Sequence, residues 1–210
     1  MANWLLELGG ENELTVTTFN LNETLKYQLT KELTASATFG YSTNSATRDE
    51  KTKSIQWYHY DGTVNTTTAN PYPTQANSAY TKRASRTDNY SISGYLNYAK
   101  TIGNDHNINA MVGMQYDRRD YEVTGTTATD IQPELGIING NGVVSIADAK
   151  KNSYALLSYF GRLNYNYKQR YLLEFNARYD GSSKFQPENR WKGFYGVSGG
   201  WRVTEEAFMA

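Results

Sequence analysis

The 210-residue sequence contains no cysteine, so disulfides and thiolate metal sites are excluded; an exported bacterial protein fits that absence. It has no charge imbalance either. The 21 Lys and Arg match 21 Asp and Glu, and no basic tract occurs, which argues against a nucleic-acid partner. No apolar run approaches the roughly 20 residues of a membrane helix. The opening Met1-Ala2-Asn3-Trp4-Leu5-Leu6 lacks the basic start and long apolar stretch of a signal peptide. Hydrophobic residues are few, at 39%, and the mean hydropathy is −0.69. A water-soluble core would have to lean on the 18 tyrosines, which are apolar at the ring and wet at the hydroxyl. None of this excludes a membrane barrel, whose alternating strands look hydrophilic on average.

What the sequence does have is alternation. From Tyr159 to Tyr167 the odd positions are Tyr, Gly, Leu, Tyr, Tyr, and from Tyr171 to Tyr179 they are Tyr, Leu, Phe, Ala, Tyr. The even positions include Arg162, Asn164, Asn166, Glu174, Asn176, Arg178 and Asp180. Such a period-2 pattern gives one sheet face to an apolar medium and the other to a polar one. The stretch reads as a hairpin about a turn at Lys168-Gln169-Arg170, which sets Arg162 opposite Asn176 and diagonal to Glu174.

Seven segments share the pattern. The others centre on Phe19 to Leu29, Leu33 to Tyr41, Tyr90 to Tyr98, Ile108 to Tyr116 and Tyr195 to Val203. Short turns follow the first, third and fifth strands. Long polar stretches, 42–85 and 118–152, follow the second and fourth, and a medium one spans Ser182 to Asn189. Only two helical pieces are predicted: a short one near Ser145 to Lys150, and one turn over Thr204 to Met209 with Thr204 as N-cap.

Strands of about eleven to seventeen residues exceed the roughly 9–11 needed to cross a bilayer when tilted. Alternately short and long connections match the periplasmic turns and extracellular loops of a transmembrane barrel. Tyrosines recur near strand ends, as an aromatic girdle requires. The fold class predicted is all-β, an antiparallel transmembrane β-barrel segment with long extracellular loops at 42–85 and 118–152. A soluble or surface-attached all-β carbohydrate-binding or adhesion domain shares the alternating pattern and is the alternative. Seven antiparallel strands cannot close a barrel with antiparallel ends, so the sheet is expected to be part of a larger barrel.

Particular residues then point to a family. Leu157-Ser158-Tyr159-Phe160-Gly161-Arg162-Leu163-Asn164-Tyr165, with Asn176-Ala177-Arg178-Tyr179-Asp180-Gly181-Ser182-Ser183-Lys184-Phe185, closely resembles the SusC/RagA-like TonB-linked outer-membrane receptors. So does Asn189-Arg190-Trp191 followed by Val197-Ser198-Gly199-Gly200-Trp201-Arg202-Val203-Thr204-Glu205-Glu206-Ala207-Phe208-Met209. The likeness extends upstream to Asn107 through Gly113 and more loosely to the first two strands. The sequence departs from the family in having Tyr195 where Pro is common and Lys192 where Gly is usual.

The resemblance implies a segment, residues 1–210, of a 22-stranded barrel in the outer membrane of a Gram-negative bacterium, without the signal peptide, plug or TonB box. It implies import of large nutrients, glycan or peptide, with a SusD-like surface lipoprotein over the extracellular mouth. Energy would come from TonB through the missing N-terminal parts, so the segment alone is not expected to transport. Its other partner would be outer-membrane lipid.

Within that frame, Trp57, Tyr58, Tyr60, Asp61 and Tyr72 are candidate ligand contacts. Flat aromatic faces beside amides and carboxylates suit sugar recognition, and the same composition suits packing on a neighbouring loop or the lid protein. Arg162, Asn164, Glu174, Asn176, Arg178 and Asp180 would face the lumen, either as a plug latch or transport lining or as a static hydrogen-bond ladder. No catalytic residue, metal ligand or cofactor is predicted. His59 and His106 are the only histidines and fall at opposite strand ends, so they cannot share a metal or a triad. Glu205 and Glu206 are adjacent and point apart on a helical turn. Gly193 to Gly200 lacks phosphate-loop spacing and suggests close packing or a bulge.

Overall fold

The computed structural model describes residues 10–53, 58–64, 78–130, 137–138 and 142–209. Alternation becomes seven strands: β1 (Gly10–Gln28), β2 (Leu33–Thr52), β3 (Ala79–Ile102), β4 (His106–Thr129), β5 (Val144–Tyr167), β6 (Tyr171–Ser182) and β7 (Trp191–Trp201). They form a single antiparallel sheet in sequence order. Each strand pairs with the one before it, as hairpin connections dictate. The register of β5 with β6 sets Tyr159 against Tyr179, Arg162 against Asn176 and Tyr167 against Tyr171. The three-residue turn lies at 168–170, where Lys168 and Gln169 both take φ of 53° in the left-handed region.

The chain divides into two compact units. The first holds Met1–Phe19, Thr43–Thr87 and Asp120–Asn152, and the second holds Asn20–Ser42, Asp88–Arg119 and Ser153–Ala210. Strands β1 to β5 contribute to both, whereas β6 and β7 lie wholly in the second.

Four expectations need correction. The stretch near Ser145 to Lys150 is not helical; it is the first part of β5. Val144 and Ile146 are β-branched at alternate positions, and β4 offers a ladder of backbone partners. An isolated helix that short has no comparable support. Strands also run deep into 42–85 and 118–152: β2 continues to Thr52, β3 starts at Ala79, β4 reaches Thr129 and β5 starts at Val144. There polar residues predominate on both faces and the hydropathy alternation weakens, and cross-strand side-chain pairs add to the backbone ladder. Arg83 Nε donates to Asp148 Oδ2 at 2.8 Å and its Nη1 pairs with Glu50. The Thr81 and Thr127 hydroxyls meet at 2.7 Å, and the Tyr80 hydroxyl donates to Asp49.

At the C-terminal end the turn is a 3-10 turn over Val203–Glu205, and Thr204 is not its cap. Glu206 leaves the helical path with ψ of 146°, and its carboxylate accepts from the Tyr171 hydroxyl. The glycine-rich run on β7 holds no bulge, since its register with β6 is one-to-one from Trp191 to Trp201. Nor is the run closely packed: a Cβ at Gly200 would meet the Leu172 side chain at an ordinary 3.4 Å, and one at Gly196 would meet nothing within 4 Å.

Where the core sits is the unusual part. Among the described residues only Tyr80 and Ala128 are buried apolar side chains. The alternating apolar residues of β1 to β7 are exposed instead, including Phe19, Leu25, Ile92, Val112, Leu173, Phe175 and Val197. A water-soluble chain of this size buries most of its apolar side chains. This sheet presents them.

Candidate functional site

Strands β5, β6 and β7, all in the second unit over residues 153–201, display the two faces most completely. The apolar face carries Tyr159, Gly161, Leu163, Tyr165 and Tyr167 of β5, and Tyr171, Leu173, Phe175, Ala177 and Tyr179 of β6. On β7 it carries Trp191, Gly193, Tyr195, Val197, Gly199 and Trp201. Aromatic rings close this face at both ends. At one end Trp191 stacks on Tyr179 and Tyr159, with ring centroids 5.0 and 6.1 Å away. Gly181 makes room for the indole, because a Cβ there would meet Trp191 at 2.7 Å.

At the other end Tyr171 stacks between Tyr167 and Trp201, at 6.2 and 6.5 Å. His106 joins this cluster, its Nδ1 lying 2.7 Å from the Tyr165 hydroxyl. No charged residue of β5, β6 or β7 lies on this face between the two bands. The bands are ten residues apart on β7, from Trp191 to Trp201. At about 3.4 Å per residue that is roughly 34 Å along the strand.

The C-terminal segment binds back onto the second band. Glu206 accepts from the Tyr171 hydroxyl at 2.6 Å, the Trp201 indole N–H at 3.1 Å and Arg170 Nη1 at 3.1 Å. These donors, the tyrosine hydroxyl foremost, hold the Glu206 carboxyl below its ordinary range. Glu205 goes its own way to Arg202, at 3.4 Å. Glu206 is an anchoring contact that the sequence did not disclose.

The polar face gathers the predicted inner residues into two networks. In one, Arg162 Nε donates to Asn176 Oδ1 at 2.8 Å, and Asn176 Nδ2 donates to Glu174 Oε1 at 2.6 Å. Asn164 stands directly across from Glu174. In the other, Arg178 Nε donates to Asp180 Oδ1 at 2.8 Å and Nη2 to the buried Ser158 hydroxyl at 2.9 Å. The Arg178 guanidinium also lies over the Phe160 ring, 5.9 Å from its centroid.

Ser158 and Phe160 continue the even-numbered series, as does Leu172 opposite Asn166. The Phe160 ring in turn rests against Gly113 on β4, where a Cβ would meet its Cζ at 2.7 Å. A cavity of 730 Å³ opens on this face, lined by Asn107, Asn109, Asn164, Asn166, Glu174 and Ser198 among others.

The predicted loop contacts are only partly placed. Trp57 and Tyr72 lie outside the described residues. Tyr58 pairs with Val64 across a small closed turn, in which His59 N–H donates to Thr63 O at 2.7 Å and Gly62 N–H to His59 O at 3.0 Å. Gly62 takes φ of 80°, which a side chain there would resist. Asp61 Oδ1 accepts from the Thr63 hydroxyl at 2.6 Å and from its N–H at 2.9 Å, and both bonds hold its carboxyl below the ordinary range. Tyr60 at the tip is fully exposed. The turn therefore occupies Asp61 and presents Tyr58 and Tyr60.

His59 belongs to the first unit and His106 to the second. Among the described residues no three potential metal ligands come together, and no helix is long and apolar enough to cross a membrane, which says nothing of strands.

No family model matches the chain. Individual proteins do. SusC, a TonB-dependent receptor of Bacteroides thetaiotaomicron, is 37% identical over 126 residues, which are 58% of this chain and 12% of that protein. A TonB-dependent receptor of Formosa agariphila is 29% identical over 131 residues, 60% of this chain and 13% of that protein. The chain thus spans about an eighth of the curated relatives it matches. Among solved structures, the RagAB peptide importer in its closed-closed state matches with a TM-score of 0.81 and 22% identity, over 99% of this chain and 22% of that one. Its open-open state matches with a TM-score of 0.79 and 23% identity, over 93% and 20%. By sequence over nearly six-tenths of its length, and by fold over almost all of it, this chain is similar to the β-barrel of SusC/RagA-like TonB-linked outer-membrane receptors.

Proposed function

We propose that this sheet is part of the barrel wall of a TonB-dependent importer of large nutrients, glycan or peptide, in the outer membrane of a Gram-negative bacterium. The observation that carries the reading is the pair of aromatic bands ten residues apart on β7, with an uncharged face between them. At the strand tilt of 35–45° usual in outer-membrane barrels, roughly 34 Å of strand spans about 25 Å along the membrane normal, the height of their apolar band. The exposed apolar face then meets lipid. The polar face, with Arg162, Asn164, Glu174, Asn176, Arg178 and Asp180, lines the lumen against the plug or the passing nutrient.

The short connections between β1 and β2, β3 and β4, and β5 and β6 face the periplasm. The stretches within 42–85 and 118–152 face outward, where Tyr58 and Tyr60, with Trp57, Asp61 and Tyr72, meet the nutrient or a SusD-like lipoprotein. TonB engages other parts of such a receptor. The role is transport rather than catalysis.

Deleting the gene that encodes this chain from its source bacterium is expected to abolish growth on one class of oligosaccharide or oligopeptide as sole nutrient, while growth on monomers is unchanged. Undiminished growth of the deletion strain on every polymeric substrate that supports the parent would contradict the importer reading.

A further inference from the structure

The apolar face does not end at its second aromatic band. Strand β7 is last in the sheet, so its far edge is open, yet the chain beyond Trp201 turns the other way, toward β6. Arg202 N–H donates to Arg170 O at 2.8 Å, and its Nη1 donates to Gln169 O at 3.3 Å. Glu206 then reaches Tyr171 and Trp201, which stand directly opposite each other on the apolar face. Met209 N–H donates to Glu206 O at 3.0 Å and closes a turn that carries Phe208 beside the band. Both large side chains of this turn are bare: Phe208 is 69% exposed and Met209 56%.

We infer that residues 203–209 form an interfacial foot, in which Phe208 and Met209 enter the lipid at the level of the Trp201 band and Glu206 holds them there. The inference rests on the reading that the apolar face meets lipid. Position selects the occupant. A further strand of a barrel wall would pair along the open edge of β7, but Arg202 and Glu206 hold the segment on the β6 side. What borders the apolar face there is the edge of the bilayer, where aromatic rings with a polar handle settle. Glu206 takes up the polar handles of Tyr171 and Trp201 and pairs with Arg170, so the charges are matched at headgroup level. Phe208 has no polar group to keep wet and gains by leaving water. Two apolar side chains bind a bilayer weakly by themselves, so the foot depends on the Glu206 hold as well as on lipid.

The test uses the whole chain reconstituted in bilayers of phosphatidylethanolamine and phosphatidylglycerol. Because the sequence has no cysteine, Met209→Cys or Val197→Cys gives a single site for a nitroxide. At both positions collisions with dissolved oxygen are expected to exceed those with a water-soluble nickel complex. Adding Glu206→Ala, or Phe208→Ser with the hold left in place, should reverse that order at 209 and leave 197 unchanged. Nickel dominating at 209 in the chain without these two changes, or a 209 signal indifferent to Phe208→Ser, would overturn the inference. With oxygen still dominant at 197, that result leaves the membrane reading standing. Nickel dominating at both positions would overturn the two together.

Discussion

Replacing Val197 with arginine is expected to destabilise the chain in a lipid bilayer by about 2–4 kcal/mol, the cost of a basic side chain near the midplane of an outer-membrane barrel. Val197 sits on the apolar face of β7, between the Trp191 and Trp201 bands, and is 66% exposed in the absence of lipid. In water such a position would tolerate arginine within about 0.5 kcal/mol. The two media therefore give opposite answers for the same substitution. The neighbouring Ser198 faces the other way, across from Glu174, so Ser198→Arg should change stability by no more than about 0.5 kcal/mol. Urea unfolding in phospholipid vesicles, followed by tryptophan fluorescence, measures both. Equal effects at the two positions would mean that the two faces of β7 meet the same solvent.

The second large effect is expected at Gly113. A methyl group there would stand 2.7 Å from the Gly94 carbonyl oxygen, from the Phe160 ring and from Tyr95 Cβ. The ring can tilt away; the backbone oxygen of the neighbouring strand cannot. Overpacking of this kind costs about 1–3 kcal/mol, so Gly113→Ala should lower the unfolding midpoint in detergent by a matching amount. The disturbance also reaches the candidate site, because Phe160 supports the Arg178 guanidinium that holds Ser158 and Asp180. Gly196 supplies the contrast. It has nothing within 4 Å of its would-be Cβ, and alanine there should be neutral or stabilising by up to about 1 kcal/mol.

These two positions show what the sequence made legible. Val197 could be assigned to the apolar face by counting, since period 2 is a local property of an extended chain bounded by two different media. The same counting about the 168–170 turn put Arg162 across from Asn176, and the hairpin has that register. Gly113 could not be read this way. Its need for hydrogen depends on Gly94 and Phe160, which lie on the strands to either side and approach only once the sheet has formed.

Alternation also weakens where its cause weakens. Beyond the apolar band polar residues predominate on both faces, so β2 to β5 continue through residues that read as loop, and pairs such as Arg83 with Asp148, 65 positions apart, add to the backbone ladder. Glu206 was hidden for a related reason. With its neighbour Glu205 it reads only as one of two carboxylates pointing apart on a helical turn, and the return of the C-terminal segment onto Tyr171 and Trp201 gives it donors.

The central claim is that one face of β7 meets lipid between its two tryptophans while the other meets water. A nitroxide placed in turn at each position from Lys192 to Gly200, with the chain reconstituted in phospholipid bilayers, reports this directly through its collisions with dissolved oxygen and with a water-soluble nickel complex. The expected pattern has a period of two: oxygen dominates at Gly193, Tyr195, Val197 and Gly199, and nickel at Lys192, Phe194, Gly196, Ser198 and Gly200. Uniform access for the nickel complex at every one of these positions would contradict the claim.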